Sequence, residues 1–492
     1  MSHAVTRRRF LSASAIAAGA AVAGSALVAG CAVAQRAGQA TAEAEAPPRP
    51  LMPPVKIHRV YVGMRGQAWP KPEIDLKAEV ARFEKHLAGV EGRLGDVKFV
   101  GGELVQNPQE AAAAVAASAE ADAVLLVHLT LGTGGMLKQI IDAGLPTAIF
   151  AQPFSGHEWM HVRDWQRAGS RVVLVASSDL WDIDRAVALM RAPARMRQSR
   201  IILSGGAAGT AAAQSAEQVK KRLGAEVISV SVDEIVKVHQ AIDLKMAEAE
   251  AQECWIRPAK KIVEPTREEI TKSARMYLAM KKIMVDRQAQ AITIRCLGGI
   301  PIGILGYPCL GFSRLCDEGL VGACEADMDS TLTMLLFRYA FGVPGFITDP
   351  LFDTSKDALI HAHCTAPTRM DGFASPRAPF MIRTHRDDNR GASLEVEMRV
   401  GQPITCAKLV NLDTVLLSRG KIIEITDFDD RGCRTQITTE VADARRMIEN
   451  WGGGVLQGDM MTQLHRVVFY GDRLRDVRDL AHLMGLRVVE EG

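Results

Sequence analysis

From residue 55 onward the chain alternates between short apolar runs and amphipathic stretches, and this pattern restricts its possible folds more than any other feature. The apolar runs have the length and composition of strands: Ile57–Val62, Val97–Val100, Ala123–Leu129, Thr147–Phe150, Val172–Ala176, Ile201–Ser204 and Val227–Val232. The intervening stretches predict helices at Asp75–Leu87, Pro108–Ala119, Leu180–Met190 and Ala211–Leu223. Because strands that are apolar on both faces need helices on both sides, the pattern predicts two successive units of parallel sheet.

After Pro379 the hydrophobic period changes to two residues. Ser393–Val400 alternates between apolar and polar residues, and shorter runs follow at Val415–Leu417, Ile422–Ile425 and Cys433–Thr438. This alternation predicts an antiparallel sheet with one solvated face. We therefore expect an α/β protein with two N-terminal doubly wound parallel-sheet domains and a smaller antiparallel β-barrel-like C-terminal domain. The expected domain bounds are 55–205, 206–375 and 376–492.

The composition excludes several classes of protein. With 492 residues, 48% hydrophobic and 24% charged, the chain is neither disordered, nor collagen-like, nor a polytopic membrane protein. Three of the 59 basic residues are Arg7, Arg8 and Arg9, so residues 35–492 hold 56 basic and 57 acidic residues. This even balance gives no reason to expect nucleic acid as a partner.

The first 34 residues predict an export signal of the twin-arginine type. The three arginines precede a weakly apolar stretch that is rich in Ala, Gly and Ser and extends to Val28. A transmembrane anchor is the alternative, but Gly19, Gly24 and repeated alanines leave the stretch only marginally apolar.

Two cleavage sites compete after this stretch. Cleavage before Cys31 would give a lipoprotein with a lipid on that cysteine, whereas Ala32-Val33-Ala34 fits an ordinary signal-peptidase site. Residues 35–54, rich in Ala, Glu and Pro, are expected to form a solvated linker. The expected location is the periplasm or, for the lipoprotein, a membrane surface; an unused signal would leave the protein in the cytoplasm.

The cysteines and glycines give no standard cofactor motif. Nine cysteines include no C-x-x-C pair, so neither a zinc ribbon nor a disulfide framework is indicated, and most are expected to be buried thiols. Gly132-Thr133-Gly134-Gly135 follows a strand, but Leu137 replaces the third glycine of a dinucleotide fingerprint. A plain strand-to-helix turn is the better interpretation.

An acidic cluster follows an apolar run in the middle of the chain. Glu325-Ala326-Asp327-Met328-Asp329 precedes a helical pattern that Gly342 and Pro344 end, with a cap expected at Asp329 or Ser330. A short strand, Gly345–Thr348, then leads to Asp349. A strand-helix-strand crossover would bring Glu325 and Asp349 to the carboxyl edge of one sheet. Their meeting would suit a metal or acid/base site, while helix caps and surface acids are the alternatives.

Several segments resemble the L-fucose and L-arabinose isomerases. They are Gly322-Ala323-Cys324-Glu325-Ala326-Asp327, the helix that follows it, the strand ending at Asp349, and Leu464-His465-Arg466-Val467-Val468-Phe469-Tyr470-Gly471-Asp472. The resemblance implies that Glu325, Asp349 and His465 bind Mn²⁺, with Mg²⁺ or Co²⁺ as possible substitutes, and that Glu325 and Asp349 are catalytic. A histidine that the arabinose enzymes use after the second acid has its nearest counterpart in His363, two residues after His361.

The resemblance implies a metal-dependent aldose–ketose isomerase that acts on a monosaccharide by enediol proton transfer and assembles as a homo-oligomer. Leu464 departs from the pattern, since the isomerases carry a polar residue before the late histidine. An exported, non-catalytic sugar- or metal-binding protein with the same fold is therefore the alternative.

Overall fold

A computed structural model describes residues 52–426, 431–458 and 460–492. Its strands are β1 Val55–Val62, β2 Val97–Val105, β3 Ala123–His128, β4 Thr147–Ala151, β5 Val172–Ala176, β6 Arg200–Ser204, β7 Glu226–Ser229, β8 Lys261–Ile262, β9 Ala291–Ile294, β10 Val321–Ala323, β11 Phe346–Asp353, β12 Ala358–His363, β13 Phe380–Arg383, β14 Ser393–Val396, β15 Pro403–Val410, β16 Thr414–Glu424, β17 Thr435–Glu440, β18 Arg466–Tyr470 and β19 Arg487–Glu490.

The helices are α1 Leu76–Leu94, α2 Pro108–Ala117, α3 Gly134–Ile141, α4 Val162–Arg167, α5 Trp181–Arg197, α6 Ala211–Gln214, α7 Ala216–Leu223, α8 Val232–Ala241, α9 Leu244–Glu250, α10 Arg267–Asp286, α11 Cys296–Gly299, α12 Ile302–Leu305, α13 Cys309–Asp317, α14 Met328–Phe341, α15 Ala444–Glu449, α16 Met460–Leu464 and α17 Leu474–Met484. Three 3₁₀ turns occupy Ser118–Glu120, Glu158–His161 and Trp451–Gly454, and a π-helical turn spans Ala251–Ile256. In these described parts of the chain, every helix is too short or too polar to cross a bilayer.

The expected export signal, the lipidation candidate Cys31 and most of the expected linker lie outside the described residues. They stay predictions of the sequence.

The first sheet is fully parallel, as the apolar runs predicted. Its order is β2-β1-β3-β4-β5, and β3 and β4 are buried along their whole length. The chain leaves β1 toward β2 on one side and then returns to place β3 on the other side. This reversal creates the crevice at the carboxyl edge where doubly wound sheets commonly hold ligands.

The second parallel sheet has the order β10-β9-β6-β7. The predicted strand Val227–Val232 ends at Ser229, because the Ser231 hydroxyl caps α8 by accepting from the Glu234 amide at 3.1 Å. The predicted helix Ala211–Leu223 is broken at Ser215, whose backbone is extended and whose side chain caps α7. In both places a serine competes for backbone hydrogen bonds, which apolar periodicity does not report.

The C-terminal sheet is mostly antiparallel, with the order β15-β18-β11-β12-β17-β16-β19 and an additional pairing of β15 with β16. Only β19 is parallel to its neighbour. Strands β14, β13 and β8 form a separate small sheet. The α/β class with two parallel sheets and an antiparallel-rich C-terminal sheet is thus confirmed, while the barrel form and the domain bounds remain predictions.

The predicted crossover between Glu325 and Asp349 was wrong in one respect. β10, which precedes Glu325, belongs to the second parallel sheet, but β11, which contains Asp349, belongs to the C-terminal sheet. Phe346 to Thr348 pair with β18 and Asp349 pairs with Ala362 of β12, in both cases antiparallel. The two carboxylates therefore reach one place from two different sheets.

Helix α14 joins these two sheets. The helix is buried on nearly all sides, where it packs against α5, β10 and β15. Leu332, Leu335 and Leu336 are at most 1% exposed. Burying each such side chain contributes roughly 1.5–3 kcal/mol, so α14 firmly fixes the acidic residues at its N-terminus.

Candidate active site

Glu325 lies in a turn with an unusual backbone. It has φ +62 and the following Ala326 has φ +56, so two consecutive non-glycine residues are left-handed, at a cost of roughly 1–2 kcal/mol each. The Ala326 amide donates to the Ile294 carbonyl (3.0 Å), and the Ala326 carbonyl accepts from the Ala208 amide (2.9 Å). Hydrogen bonds on both sides thus hold the strained turn. Strained backbone that is held in this way is typical of functional sites, and the sequence composition does not reveal it.

His465 is the residue on which the predicted acids converge. Its side chain is fully buried, and its Nε2 lies 3.4 Å from Glu325 Oε2 and 3.3 Å from Asp349 Oδ1. The three residues that the resemblance implied as metal ligands therefore lie next to one another in the structure. His465 stands between α16 and β18, just before the strand begins, so local secondary structure does not explain where its ring lies.

The opposite nitrogen of His465 is held by a buried aspartate. Its Nδ1–H donates to Asp327 Oδ2 at 2.9 Å, which leaves Nε2 facing Glu325 and Asp349. Burial lowers the pKa of His465, but the hydrogen bond with Asp327 and the negative charges of Asp327 and Asp349 outweigh it and raise the pKa to about 10. Without a cation at Nε2, the ring therefore carries a second proton at neutral pH.

Asp349 remains ionised in this setting. Burial by itself would raise the pKa of the carboxyl group, but the positive charge of the nearby His465 outweighs burial and lowers the pKa. Its side chain is 32% exposed, compared with 14% for Glu325. Asp349 is therefore the more accessible of the two carboxylates.

His363 contributes a second imidazole. Its Nε2 lies 3.7 Å from Glu325 Oε1, and its ring centroid lies 5.6 Å from that of His465. Potential ligand atoms of Asp349, His363 and His465 lie within 4.8 Å of one another, as do those of Cys324, Glu325 and His363. The Nε2 atoms of His363 and His465 are both buried without a hydrogen-bond partner in the described parts of the chain.

His361 is separate from this cluster. Its ring lies 3.0 Å from Thr348 Oγ1 and 3.1 Å from Thr439 Oγ1, so both nitrogens have partners. Burial lowers the pKa of His361 to about 3 and keeps the ring neutral. Of the two histidines on β12, only His363 reaches the site.

A buried charge network lies behind His465. Asp327 caps α14 by accepting from the Ser330 amide (3.0 Å), which corrects the caps expected at Asp329 or Ser330. Lys408 of β15 is fully buried, and its Nζ lies 3.3 Å from Asp327 Oδ2. The interaction ties the acidic turn of one sheet to a strand of another.

Asp329 belongs to the same network. It accepts from the Thr210 hydroxyl at 2.7 Å, and burial, together with the charge of Asp327, raises its pKa to about 7 against the opposing effect of Lys408. Sequence reasoning identified the acidic cluster but gave Asp327 no role and Asp329 only that of a candidate helix cap, and it missed Lys408 entirely. Nothing distinguishes Lys408 from a surface lysine until the fold places it at zero exposure.

Three curated proteins are similar to part of the chain. Sulfoquinovose isomerases from Priestia aryabhattai and Priestia megaterium are each 21% identical over 286 residues, which are 56% of this chain and 60% of each relative. A sulfoquinovose isomerase from Alkalicoccus urumqiensis is 21% identical over 226 residues, 45% of this chain and 48% of that relative. The chain thus matches at most 60% of the length of these relatives. No protein-family model matches it.

Proposed function

We propose that the protein is an aldose–ketose isomerase that acts by enediol proton transfer. The observation that carries the proposal is the convergence of Glu325 and Asp349 on one nitrogen of a fully buried histidine, at 3.4 and 3.3 Å. Two carboxylates at one point can serve two proton-transfer tasks within a single reaction. The similarity to sulfoquinovose isomerases supports the same class of reaction.

A divalent cation fits the residues present. Two carboxylates and the Nε2 of His465, which has no hydrogen-bond partner among the described residues, form an oxygen-rich donor set that suits Mn²⁺, Mg²⁺ or Co²⁺. Glu325, Asp349 and His465 would hold the ion. When bound, such an ion would polarise the adjacent oxygens of the sugar and make the C2 proton more acidic.

The chain itself supplies the proton carriers. One carboxylate takes the proton from C2 of the aldose and returns it to C1, while the other moves the proton between the two oxygens. Asp349 stays ionised at neutral pH because its pKa is lowered, so it is ready to accept a proton. The bonds of the carbon skeleton are unchanged, and substrate and product differ only in where two protons reside.

We assign His363 a different task from His465. The Cys364 amide donates to His363 Nδ1 at 2.9 Å, so the neutral ring carries its proton on Nε2. His363 then donates a hydrogen bond toward Glu325 and the substrate and is not a metal ligand. This modifies the expectation from the resemblance, in which His363 was a candidate ligand.

The substrate and the assembly are part of the proposal. We propose a monosaccharide substrate, with sulfoquinovose to be tested first because the similar proteins are named for it. We also propose a homo-oligomer, which light scattering after size-exclusion chromatography can test. Export by the N-terminal arginine motif is tested by fractionating cells that express the full chain and an Arg7→Lys/Arg8→Lys/Arg9→Lys variant.

Proton exchange in D₂O tests the reaction. NMR would follow the C2 proton of sulfoquinovose, pentoses, hexoses and 6-deoxyhexoses with Mn²⁺ and the purified protein. We expect exchange with at least one sugar, and we expect EDTA and Glu325→Gln to remove it without changing the circular dichroism spectrum. Sugar or metal binding without exchange on any sugar would favour the non-catalytic binding protein instead.

A further inference from the structure

Two residues of the site are flanked in sequence by buried cysteines. Cys324 precedes Glu325, and Cys364 follows His363. Each of these cysteines also contacts a second cysteine from elsewhere in the chain: Cys324 contacts Cys296, and Cys364 contacts Cys433. Neither thiol pair has a part in the reaction proposed above.

The first pair has the closer connection to a catalytic group. Cys296 Sγ and Cys324 Sγ are 3.4 Å apart, at 3% and 2% exposure, and both cysteines are free. Cys296 follows β9 and Cys324 follows β10, two neighbouring parallel strands. A disulfide bond is about 2 Å long, so the sulfur atoms would have to approach by more than an ångström.

We propose that Cys296 and Cys324 are an oxidation-sensitive pair whose disulfide inactivates the site by displacing Glu325. The inference rests on the proposed function, because it concerns regulation of the same catalytic carboxylate. It stands on the sulfur separation and on the adjacency of Cys324 to Glu325.

The chemistry needs a peroxide as oxidant. One thiol attacks an oxygen of hydrogen peroxide, forming a sulfenic acid and releasing water. The second thiol attacks that sulfur, forms the S–S bond and releases a second water. Two thiols lose two hydrogen atoms and one peroxide gives two waters, so the step is balanced. A thiol reductant reverses it by disulfide exchange.

The backbone around Glu325 explains why a small movement would matter. Glu325 and Ala326 are both left-handed, and hydrogen bonds to Ile294 and Ala208 hold the turn. Such a turn has few alternative conformations, so a shift of Cys324 moves Glu325 with it. Misplacing a catalytic group by about 1 Å commonly costs on the order of a hundredfold in rate.

The test is peroxide treatment of the full protein, assayed for isomerase activity and by mass spectrometry of non-reduced peptides. We expect a Cys296–Cys324 cross-link and a loss of activity on the order of tenfold or more, both reversed by dithiothreitol. Because both thiols are buried, we expect inactivation over minutes to hours. Cys296→Ser should keep its activity through the treatment, whereas Cys406→Ser, at another buried cysteine, should be inactivated like wild type.

Several outcomes would overturn the inference. They are inactivation without the Cys296–Cys324 cross-link, the cross-link without inactivation, a cross-link only between Cys364 and Cys433, or equal inactivation of Cys296→Ser. Failure of the proposed function is a separate result, because the fully reduced protein would then show no isomerase activity while the cross-link could still form.

Discussion

His128 and His465 are both buried beside a carboxylate, but only His465 lies in the candidate reaction site. At the carboxyl edge of the first sheet, His128 Nε2 lies 3.1 Å from Glu158 Oε2, and Ser155 Oγ lies 3.2 Å from His128 Nδ1. Glu158 Oε1 also accepts from the amides of Gly132 and Thr133. At the candidate site, by contrast, two carboxylates converge on His465, whose Nε2 has no hydrogen-bond partner in the described parts of the chain.

The difference shows what separates a structural pair from a functional one. In the glycine-rich turn that follows β3, the amides of Gly132 and Thr133 already donate to the protein's own Glu158, so these two amides are not available to a ligand. Burial opposes ionisation of Glu158, but the hydrogen bond and charge of His128 outweigh it and lower the pKa to about 2. Burial of a histidine beside an acid is therefore not informative alone, whereas the convergence of two carboxylates on one histidine nitrogen is.

The largest expected effect compares the two buried histidines. His465→Gln should reduce Mn²⁺ affinity and turnover by more than about a hundredfold, because it removes a ligand. His128→Gln should cost about 1–3 kcal/mol of unfolding free energy and leave turnover intact. Isothermal calorimetry with Mn²⁺, the NMR exchange assay and urea unfolding measure the three quantities. Equal losses of turnover in both variants would contradict the prediction that His465, and not His128, belongs to the reaction site.

The network behind His465 should have the next largest effect. Asp327→Asn keeps an acceptor for Nδ1–H but removes its charge, so we expect Mn²⁺ to bind about 10- to 100-fold more weakly. The single variant also unbalances the charge beside buried Lys408, which costs roughly 3–5 kcal/mol of stability.

The control for that variant is Asp327→Asn/Lys408→Met, which removes both charges. It should recover most of the lost stability while Mn²⁺ affinity stays low. If Mn²⁺ affinity returns together with stability, Asp327 acts only through folding and does not position His465.

His363 should have a smaller effect on metal than on catalysis. His363→Gln should slow turnover about tenfold, because a glutamine amide donates from a different position, while the Mn²⁺ dissociation constant changes by less than about threefold. Calorimetry and the exchange assay separate these effects. A loss of Mn²⁺ affinity as large as in His465→Gln would make His363 a ligand.

The smallest expected effect is the pH dependence of stability at the structural pair. Since the pKa of Glu158 falls from 4.5 unfolded to about 2 folded, its ionised form stabilises the protein above about pH 4.5, and this contribution is lost as the pH falls toward 2. Wild type should therefore exceed Glu158→Gln in stability near neutral pH and approach it toward pH 2. Urea unfolding across this range measures the difference, and a gap that persists at pH 2 would contradict the assignment.

The candidate site was only partly predictable. Glu325 could be found because an acid directly follows a buried apolar run, which places it at the end of a strand. His465 could be found only through the resemblance, since a histidine before an apolar strand is usually structural. Asp349 was found for a reason that the structure corrects, because β11 pairs with β18 and not with β10.

The sequence by itself determined the local order of the chain. Apolar runs, helical periods and the change to a two-residue period predicted the two parallel sheets and the antiparallel-rich sheet. The spacing of apolar residues shows whether an element is buried on one face or on both. Only the tertiary structure decided which strands pair across long separations, where Lys408 is buried and which histidine nitrogen faces the two carboxylates. Those outcomes depend on contacts between residues more than a hundred positions apart, as between Asp327 and His465, and no local pattern encodes them.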